Sequence, residues 1–209
     1  MDAVLMTDRT GALEHVTPPT VDADLPLIRR IGDGDEVAFE RFVQRHQRRV
    51  LGLCCRLLGD EEGSRDATQE IFLKVWRKAS GFCPRGKVST WLYRVATNHC
   101  LNVLRRRKIV RMLPFSSGPE DDSGAPWEPA SPAPSPLESF QSRERWRTVR
   151  QAIDRLPDTQ RAVLVLARFE GLGYREIAEV LGITVGAVES RLFRAMRALE
   201  VSLDEGASS

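Results

Sequence analysis

The sequence predicts an all-α protein in which two small helical domains are joined by a flexible, proline-rich, acidic linker. Apolar residues recur at helical spacing through residues 25–111 and again through 139–204, which predicts two groups of amphipathic helices. Residues 112–138 contain no Lys or Arg and hold seven of the chain's twelve prolines. This composition is typical of a linker, so the chain is expected to divide into two folded units.

Composition excludes several classes of protein. With 42% hydrophobic and 29% charged residues, the chain is expected to be globular rather than disordered. It contains no apolar run of the roughly 20 residues that a membrane span needs. The N-terminus lacks the basic and apolar regions of a secretion signal. We therefore expect a cytoplasmic protein with no membrane span, whose four cysteines stay free thiols.

The N-terminal part of the first unit is predicted from its breakers and caps. Residues 1–24 are polar, contain a Pro-Pro pair and are predicted to form a flexible arm. A short helix over 25–32 is followed by a turn at 32–35 and a longer helix over 36–58. Asp60 stands where the next helix needs an N-cap, because its carboxylate can accept from a free backbone N–H.

The helix after that cap is predicted to have two unlike faces. Ala67, Ile71 and Val75 recur on one side, as expected for a face buried in a core. The other side carries polar residues, two of them acidic and one basic, together with one leucine, and is free for a partner. This side consists of Asp66, Gln69, Glu70, Leu73 and Arg77.

A basic helix is predicted after the loop at residues 81–88. It starts at a cap provided by Ser89 or Thr90 and extends to about Lys108. Leu92, Val95, Ala96 and Val103 form its apolar stripe, and the opposite side carries Arg94, Asn98, Asn102 and Arg105.

The charge distribution around this helix points to nucleic acid. From Ile71 through Pro119 there is no Asp or Glu, although the segment holds eleven Lys or Arg residues. A surface of one sign attracts phosphates, and the interleaved Trp76, Trp91 and Tyr93 are predicted to offer platforms for unpaired bases. A basic face that is merely solvated is the alternative, and the complete absence of acids argues against it.

The linker at 112–138 has two interpretations. It carries acidic residues, namely Glu120, Asp121, Asp122 and Glu128. It is either a passive spacer or a segment that occupies a basic channel of a partner, where its charge imitates nucleic acid.

The second unit contains the layout of a helix-turn-helix. Breaks are predicted at Pro157, at residues 171–173 and at Gly182, with helices over 174–181 and 185–199. Thr184 is predicted to cap the second of these helices. Its inward stripe is predicted to be Val185, Val188, Leu192, Ala195, Met196 and Leu199. Ser190, Arg191, Arg194 and Arg197 then project outward, where such a helix contacts bases in a major groove.

Both units resemble the bacterial sigma factors of RNA polymerase, in particular the small extracytoplasmic-function (ECF) group that retains only regions 2 and 4. DATQEIFLKVW resembles the segment that docks on the clamp helices of the largest polymerase subunit. STWLYRVATNHCLNVLRRRK resembles the element that melts and recognises minus-ten promoter DNA. LPDTQRAVLVLARFEGLGYREIAEVLGITVGAVESRLFRAMRAL resembles the module that recognises the minus-thirty-five element and binds the flap of the second-largest subunit.

This resemblance implies a role for each matching residue. Polymerase contacts are expected from Asp66, Gln69, Glu70 and Leu73. Minus-ten contacts are expected from Phe82, Arg94, Asn98, Asn102, Arg105, Arg106, Arg107 and Lys108, with residues 81–88 forming the pocket for an extruded base. Minus-thirty-five contacts are expected from Thr184, Glu189, Ser190, Arg191, Phe193, Arg194 and Arg197. An inhibitory anti-sigma factor is expected as a further partner.

Two departures from the family bear on these expectations. Glu189 occupies a recognition-helix position where some relatives carry a basic residue. Since Glu accepts from cytosine but repels phosphate, the upstream sequence preference is an open question. The arm at residues 1–24 is longer than the minimal form of the family.

No cofactor, metal site or catalytic centre is expected. A zinc or redox sensor built from the cysteines is the alternative, but no pair has C-x-x-C spacing. His99 falls on the apolar side of the basic helix, which favours a core histidine. Glycine loops for phosphate and nucleophile motifs are absent, so an enzyme is not expected.

Three function classes make different predictions. A promoter-specificity subunit binds promoter DNA strongly only together with core polymerase. A stand-alone activator or repressor dimerises and binds duplex by itself, and the sequence shows no dimer helix or effector domain. A nucleic-acid enzyme turns over alone with a metal. The residues favour the first class.

Overall fold

The structure is a computed structural model that describes residues 22–83, 86–112 and 148–207. The predicted arm up to residue 21, residues 84 and 85, and the linker with the predicted start of the second unit, 113–147, lie outside these residues, as do 208 and 209. Throughout the described ranges the regular elements are helices and no strand occurs, which confirms the predicted all-α class.

Four helices build the first unit, as predicted. They are α1 (Leu25–Gly32), α2 (Glu36–Leu58), α3 (Glu61–Lys78) and α4 (Val88–Met112), with a short 3-10 turn, Ala79–Gly81, after α3. Their packed faces form a core whose largest fully buried side chains include Phe42, Leu53, Ile71 and Val75. The bounds of α1 and α2 agree with the prediction.

Side-chain caps set where the central helices begin. Asp35 Oδ1 accepts a hydrogen bond from the Ala38 backbone N–H at 2.9 Å and starts α2. Asp60 Oδ1 accepts from Gly63 N–H at 2.6 Å and starts α3, as predicted. Each cap satisfies one of the backbone donors that a helix N-terminus leaves free.

The start of α4 differs from the prediction. The helix begins at Val88 rather than after Ser89 or Thr90, and the first N–H, that of Val88, donates to Asp22 Oδ2 at 2.5 Å. The cap predicted at Ser89 or Thr90 is therefore wrong, because a distant carboxylate takes its place. Asp24 also joins the bundle, since it is buried and pairs with Arg45 at 2.5 Å.

The second unit consists of a helix described over 148–154 (α5), α6 (Asp158–Arg168), α7 (Tyr174–Leu181) and α8 (Val185–Ala207). The breaks fall at Pro157, at the glycines before α7 and at Gly182, as predicted. Thr184 Oγ1 accepts from Ala187 N–H at 3.2 Å, which confirms the predicted cap of α8. The α7–turn–α8 layout is thus a helix-turn-helix.

The two units pack against each other in the structure. Helix α4 lies against α7, and α2 and α4 both contact α6. The buried apolar residues of the two units join in one continuous cluster. No helix in the described part of the chain has the length and apolarity that crossing a membrane requires.

The turn at Gly182 gives a prediction with an internal control. Gly182 has φ +64°, in the left-handed region, and an added Cβ would meet no atom within 4 Å. Gly182→Ala is therefore expected to lower the free energy of unfolding by about 1–2 kcal/mol, through backbone strain alone. Urea unfolding measures this change.

Gly186, in the first turn of α8, provides the matched control. Its Cβ would also meet nothing within 4 Å, but its backbone is helical. Gly186→Ala is expected to raise the free energy of unfolding by up to about 1 kcal/mol, because alanine loses less conformational entropy on folding. Shifts of the same sign in both variants would contradict this account of the turn.

Candidate polymerase and nucleic-acid interfaces

The outer face of α3 presents the residues predicted to contact polymerase. Asp66, Gln69 and Glu70 are all exposed, and Leu73 beside them is 44% exposed. The opposite face is buried through Ala67, Ile71, Phe72 and Val75, as the periodicity predicts. A single exposed leucine is ordinary on a protein surface, so Leu73 is a candidate contact because of its position among the predicted polymerase-binding residues. We call this set the α3 face.

The outer side of α4 presents the amides and several of the predicted phosphate-binding residues. Asn98, Asn102, Arg105 and Arg106 are exposed, while Leu92, Val95 and Ala96 are buried beneath them. Arg105 donates to Asn102 Oδ1 at 3.0 Å, which fixes the orientation of that amide. We call Asn98, Asn102, Arg105 and Arg106 the α4 face.

The half-buried His99 borders this face and is not the core histidine that the sequence predicted. Its Nδ1 contacts Lys74 Nζ. Burial, and then the neighbouring ammonium of Lys74, lower the pKa of His99. The imidazole is therefore neutral at neutral pH, and the positive charge at this place belongs to Lys74.

Three further residues that are predicted to bind minus-ten DNA form hydrogen bonds or ion pairs with other parts of the protein. Arg94 Nη2 donates to the Glu179 carbonyl at 2.8 Å, and Lys108 Nζ pairs with Asp158 at 2.7 Å. Arg107 pairs with the α3 cap, Asp60, at 2.6 Å. Their assignment to DNA stays a prediction.

Most of the aromatic side chains near α4 pack against other side chains of the protein. Phe82 is half-buried and meets Trp91 edge-on at 5.2 Å between ring centroids, and Trp76 meets Phe39 at 5.1 Å. Tyr93 is buried. The prediction that Tyr93 offers a stacking platform is therefore wrong, whereas Phe82 stays a candidate for the wall of a base pocket.

The helix-turn-helix presents a charged outer side on α8. Glu189, Ser190, Arg194 and Arg197 are exposed, and Arg191 is half-buried. Glu189, Ser190 and Arg191 lie in the second turn after the Thr184 cap, where recognition helices contact base edges, and Arg194 and Arg197 follow in the third and fourth turns. We call Ser190, Arg191, Arg194 and Arg197 the α8 face.

The apolar stripe of α8 is narrower than predicted. Val188, Leu192 and Ala195 are buried, but Val185 and Met196 are exposed. At 100° per residue these last two lie at the same edge of the stripe, outside the contact with the other helices. Phe193, which is 66% exposed, continues this edge and leaves an apolar strip beside the α8 face.

Comparison with known families identifies both units. Residues 42–109 match the family model for Sigma-70 region 2, and residues 146–199 match the model for Sigma-70, region 4. The chain belongs to the sigma-70 family. Because these matches cover the predicted polymerase and DNA elements, they agree with the resemblance found in the residues.

Individual relatives assign this sigma factor to the ECF group. It is 36% identical to the RNA polymerase sigma-H factor of Pseudomonas aeruginosa, in an alignment that covers 88% of this chain and 95% of that protein. It is 32% identical to the ECF RNA polymerase sigma factor SigW of Bacillus subtilis, over 84% and 94% of the two chains. Both relatives are sigma factors.

The fold of the sigma factor is similar to a solved structure, that of CnrH in complex with the cytosolic domain of CnrY. The two share 26% sequence identity with a TM-score of 0.63, over 88% of this chain and 99% of CnrH.

Sequence reasoning missed Glu170, which lies between the two units of the sigma factor. Its side chain is 3% exposed and its carboxylate accepts from Tyr93 Oη at 2.7 Å and from Arg49 and Arg56 at 3.2 Å each. We call these four residues the Glu170 cluster. Burial, and then the hydrogen bond to the Glu170 carboxylate, raise the pKa of Tyr93, so that it stays a neutral donor. No sequence motif indicates this cluster, because Arg49 and Arg56 come from α2, Tyr93 comes from α4, and Glu170 follows α6.

The cysteines of the sigma factor lie mostly in the core of the first unit. Cys54 and Cys100 are buried with their Sγ atoms 3.6 Å apart, and Cys83 is exposed. The hydrogen bond between the two thiols raises the pKa of Cys100, and burial raises it further. In the described ranges no three His, Cys, Asp or Glu side chains gather as a metal site would require.

Proposed function

We propose that this sigma factor binds core RNA polymerase, directs it to specific promoters and helps to open the DNA at the minus-ten element. One observation carries the proposal: a chain with sigma regions 2 and 4 exposes three chemically distinct surfaces together. They are the acidic, leucine-containing α3 face, the amide-rich basic α4 face, and the arginine-rich α8 face. Each has the chemistry that one of the three tasks needs.

Docking on polymerase uses the α3 face, placed on the clamp helices of the largest subunit. Asp66 and Glu70 supply exposed carboxylates, and Leu73 supplies an apolar contact that loses water on docking. Helices of the second unit contact the flap of the second-largest subunit. The exposed Val185 and Met196 suit that second contact, whereas Phe193 stays a predicted minus-thirty-five contact.

Duplex recognition uses the α8 face in the major groove of the minus-thirty-five element. Arg191 and Arg194 can bridge the two acceptors of guanine, and Ser190 can bond a base or a phosphate. Glu189 can accept from the amino group of cytosine and would repel a nearby phosphate. We therefore expect an upstream element in which guanine and cytosine both contribute to recognition.

Strand capture uses the α4 face. An asparagine side chain offers a donor and an acceptor, so Asn98 and Asn102 can recognise the Watson–Crick edge of an unpaired base. The neighbouring arginines hold the phosphates of that strand. Because these contacts form only when the strands separate, their binding free energy favours the open complex over the closed one.

The proposed division of the chain follows from these tasks. It comprises an arm at 1–24, region 2 at 25–111, a linker at 112–138, region 4 at 139–204 and a short tail. A linker of about 27 residues spans roughly 90 Å when extended but about 30 Å as a coil. Two promoter elements separated by two turns of duplex lie about 70 Å apart. Core polymerase is expected to hold the linker extended.

An anti-sigma factor is the expected regulator of this sigma factor. CnrH, whose fold is similar, was solved bound to the cytosolic domain of a second protein, CnrY. A protein that covers the α3 face and region 4 together would prevent polymerase binding.

Gel-shift assays with purified components test the proposal. The template is a promoter fragment selected from host DNA by the reconstituted polymerase. We expect a stable shift only when the sigma factor and core polymerase are both present. Glu70→Lys, which reverses one charge of the α3 face, is expected to abolish it. A tight duplex complex with the sigma factor alone would favour a stand-alone regulator instead.

A further inference from the structure

Residues 22–32, which comprise α1 and the turn before it, contact the chain on both sides of the loop that precedes α4. We call them the α1 segment. At its start, Asp22 Oδ2 accepts from the Val88 N–H at 2.5 Å, where α4 begins. At its end, Gly32 lies against the 3-10 turn after α3, so closely that an added Cβ would come within 3.1 Å of the Ala79 carbonyl oxygen and of Ser80 Cα. The α1 segment therefore fixes the place where the loop leaves α3 and the place where it enters α4.

The carboxylate of Asp22 is itself held in one position. Its Oδ1 accepts from the Asp24 N–H at 3.0 Å, and its backbone carbonyl accepts from the Leu25 N–H at 3.0 Å. The buried Asp24 is in turn paired with Arg45 of α2 at 2.5 Å and lies 2.9 Å from His46 Nε2. A side chain with such supporting contacts can hold another group in a defined geometry.

The two anchored ends of the loop carry the aromatic pair beside α4. Phe82 directly follows the 3-10 turn, and its N–H donates to the Ala79 carbonyl at 3.0 Å. Trp91 lies in the first turn of α4, where its N–H donates to the Lys87 carbonyl at 3.2 Å. Both rings are half-buried, with 5.2 Å between their centroids. The contacts of the α1 segment with Ala79 and Val88 therefore set how the two rings lie relative to each other.

A cap that only stabilises α4 is the alternative. Val88 is fully buried, so its N–H would lack a partner without Asp22. Asp35 supplies the same kind of cap to α2, through the Ala38 N–H. The difference lies in what each cap holds, because the turn that Asp22 caps carries Trp91, whereas the first turn of α2 carries no residue of the three proposed surfaces.

We propose that Asp22 is a positioning residue for base selection, which holds the first turn of α4 so that Trp91 and Phe82 together form the wall on which an unpaired minus-ten base stacks. The inference rests on the proposed strand capture and adds a residue that lies outside all three surfaces. Without the carboxylate, the first turn of α4 opens part of the time and the wall is incomplete. The apparent affinity for the base that fits this wall falls with the complete fraction, whereas a base that does not use the wall binds as before.

The base preference of the reconstituted holoenzyme tests this role. Single-stranded oligonucleotides carry the minus-ten sequence of a transcribed promoter with each position replaced in turn, and fluorescence anisotropy measures their binding. Phe82→Ala identifies the position whose base preference depends on the aromatic wall. At that position Asp22→Ala is expected to lower the preference about tenfold, and at the other positions to leave it unchanged. Asp22→Asn keeps one acceptor oxygen and should lose no more than about threefold.

Asp35→Ala is the matched control, since it removes a carboxylate cap from α2. Both alanine variants are expected to lower the melting temperature of the free sigma factor by a similar amount, about 2–4 °C. Only Asp22→Ala should change the base preference, measured well below both melting temperatures. Equal losses of preference in the two variants would reduce Asp22 to a stabilising cap and overturn the proposal.

Gly32→Ala tests the other anchor and carries the test if Asp22→Ala does not fold. Because its Cβ would press on Ala79 and Ser80, it is expected to lower the same preference about threefold. In the Phe82→Ala background, Asp22→Ala should cause no further loss, since the wall is already incomplete. Additive losses, an unchanged preference in Asp22→Ala, or the absence of any position that depends on Phe82 would overturn the inference. Start-site selection by the wild type would still support the proposed function in each of these cases.

Discussion

Replacing Asn98 by alanine is expected to slow promoter opening by about tenfold to 100-fold and to leave closed-complex formation nearly unchanged, given 1–3 kcal/mol for a base contact. Asn98 is exposed on α4, and its amide is free to meet an unpaired base. Asn102→Ala is expected to have a smaller effect, because the Asn102 oxygen already accepts from Arg105. Permanganate reactivity of unpaired thymines measures opening, and a gel shift at low temperature measures the closed complex.

Gln47→Ala serves as the control for the loss of an amide. Gln47 is exposed on α2 and belongs to none of the three proposed surfaces, so its replacement should change neither step. Equal losses of opening and of closed-complex formation in Asn98→Ala would contradict capture of a strand by this helix.

Reversing the charge of Arg194 is expected to weaken recognition of the upstream element on the order of 100-fold, because Arg194→Glu removes a base or phosphate contact and adds repulsion. Arg194 is preferable to Arg191 for this test, since Arg191 is half-buried and its replacement would also disturb packing. The measurement is transcription from a promoter with an intact minus-thirty-five element, compared with the same promoter mutated only in that element.

On the mutated promoter, the defect of Arg194→Glu relative to the wild type should be much smaller, because the base contact no longer exists to be lost and only the repulsion of phosphates remains. Arg168→Glu makes the same reversal at an exposed position at the end of α6 and should behave as the wild type on both promoters. A defect of Arg194→Glu that persists unchanged on the mutated promoter would exclude a base contact by Arg194.

Local signals explain which parts of this fold were predictable. Asp60 caps α3, Thr184 caps α8 and Gly182 turns the chain between α7 and α8, and in each case the decisive contact spans no more than a few residues. Periodicity likewise placed the α3 face correctly, and on α4 it placed Leu92, Val95 and Ala96 correctly but not His99, which is half-buried. These features depend on the helix geometry alone.

The features that were not predictable depend on contacts between distant residues. The first N–H of α4 is capped by Asp22, which lies 66 positions earlier in the chain. Tyr93 and Glu170 are separated by 77 positions, so the pattern around each gives no sign of the other. The prediction that Tyr93 offers a stacking platform used only the residues that are near it in sequence. Its burial instead depends on contacts with distant residues, among them Glu170 of region 4.

The same long-range contacts pair part of the positive charge that the sequence places on the basic helix, α4. Composition from Ile71 to Pro119 predicts a continuous positive surface, but Arg94, Arg107 and Lys108 each pair with a carbonyl or carboxylate from another segment. Among the described residues of this segment, Arg105 and Arg106 beside the asparagines, and Arg77 and Lys78 at the end of α3, stay exposed without an ion pair.

Transcription of fragmented host DNA, followed by sequencing of RNA 5′ ends, tests the central claim most directly. Purified core polymerase is used with and without this sigma factor. We predict that the sigma factor adds a new set of start sites whose upstream DNA shares two sequence elements, about two helical turns apart. A set of 5′ ends that is the same with and without the sigma factor would contradict its function as a promoter-specificity subunit.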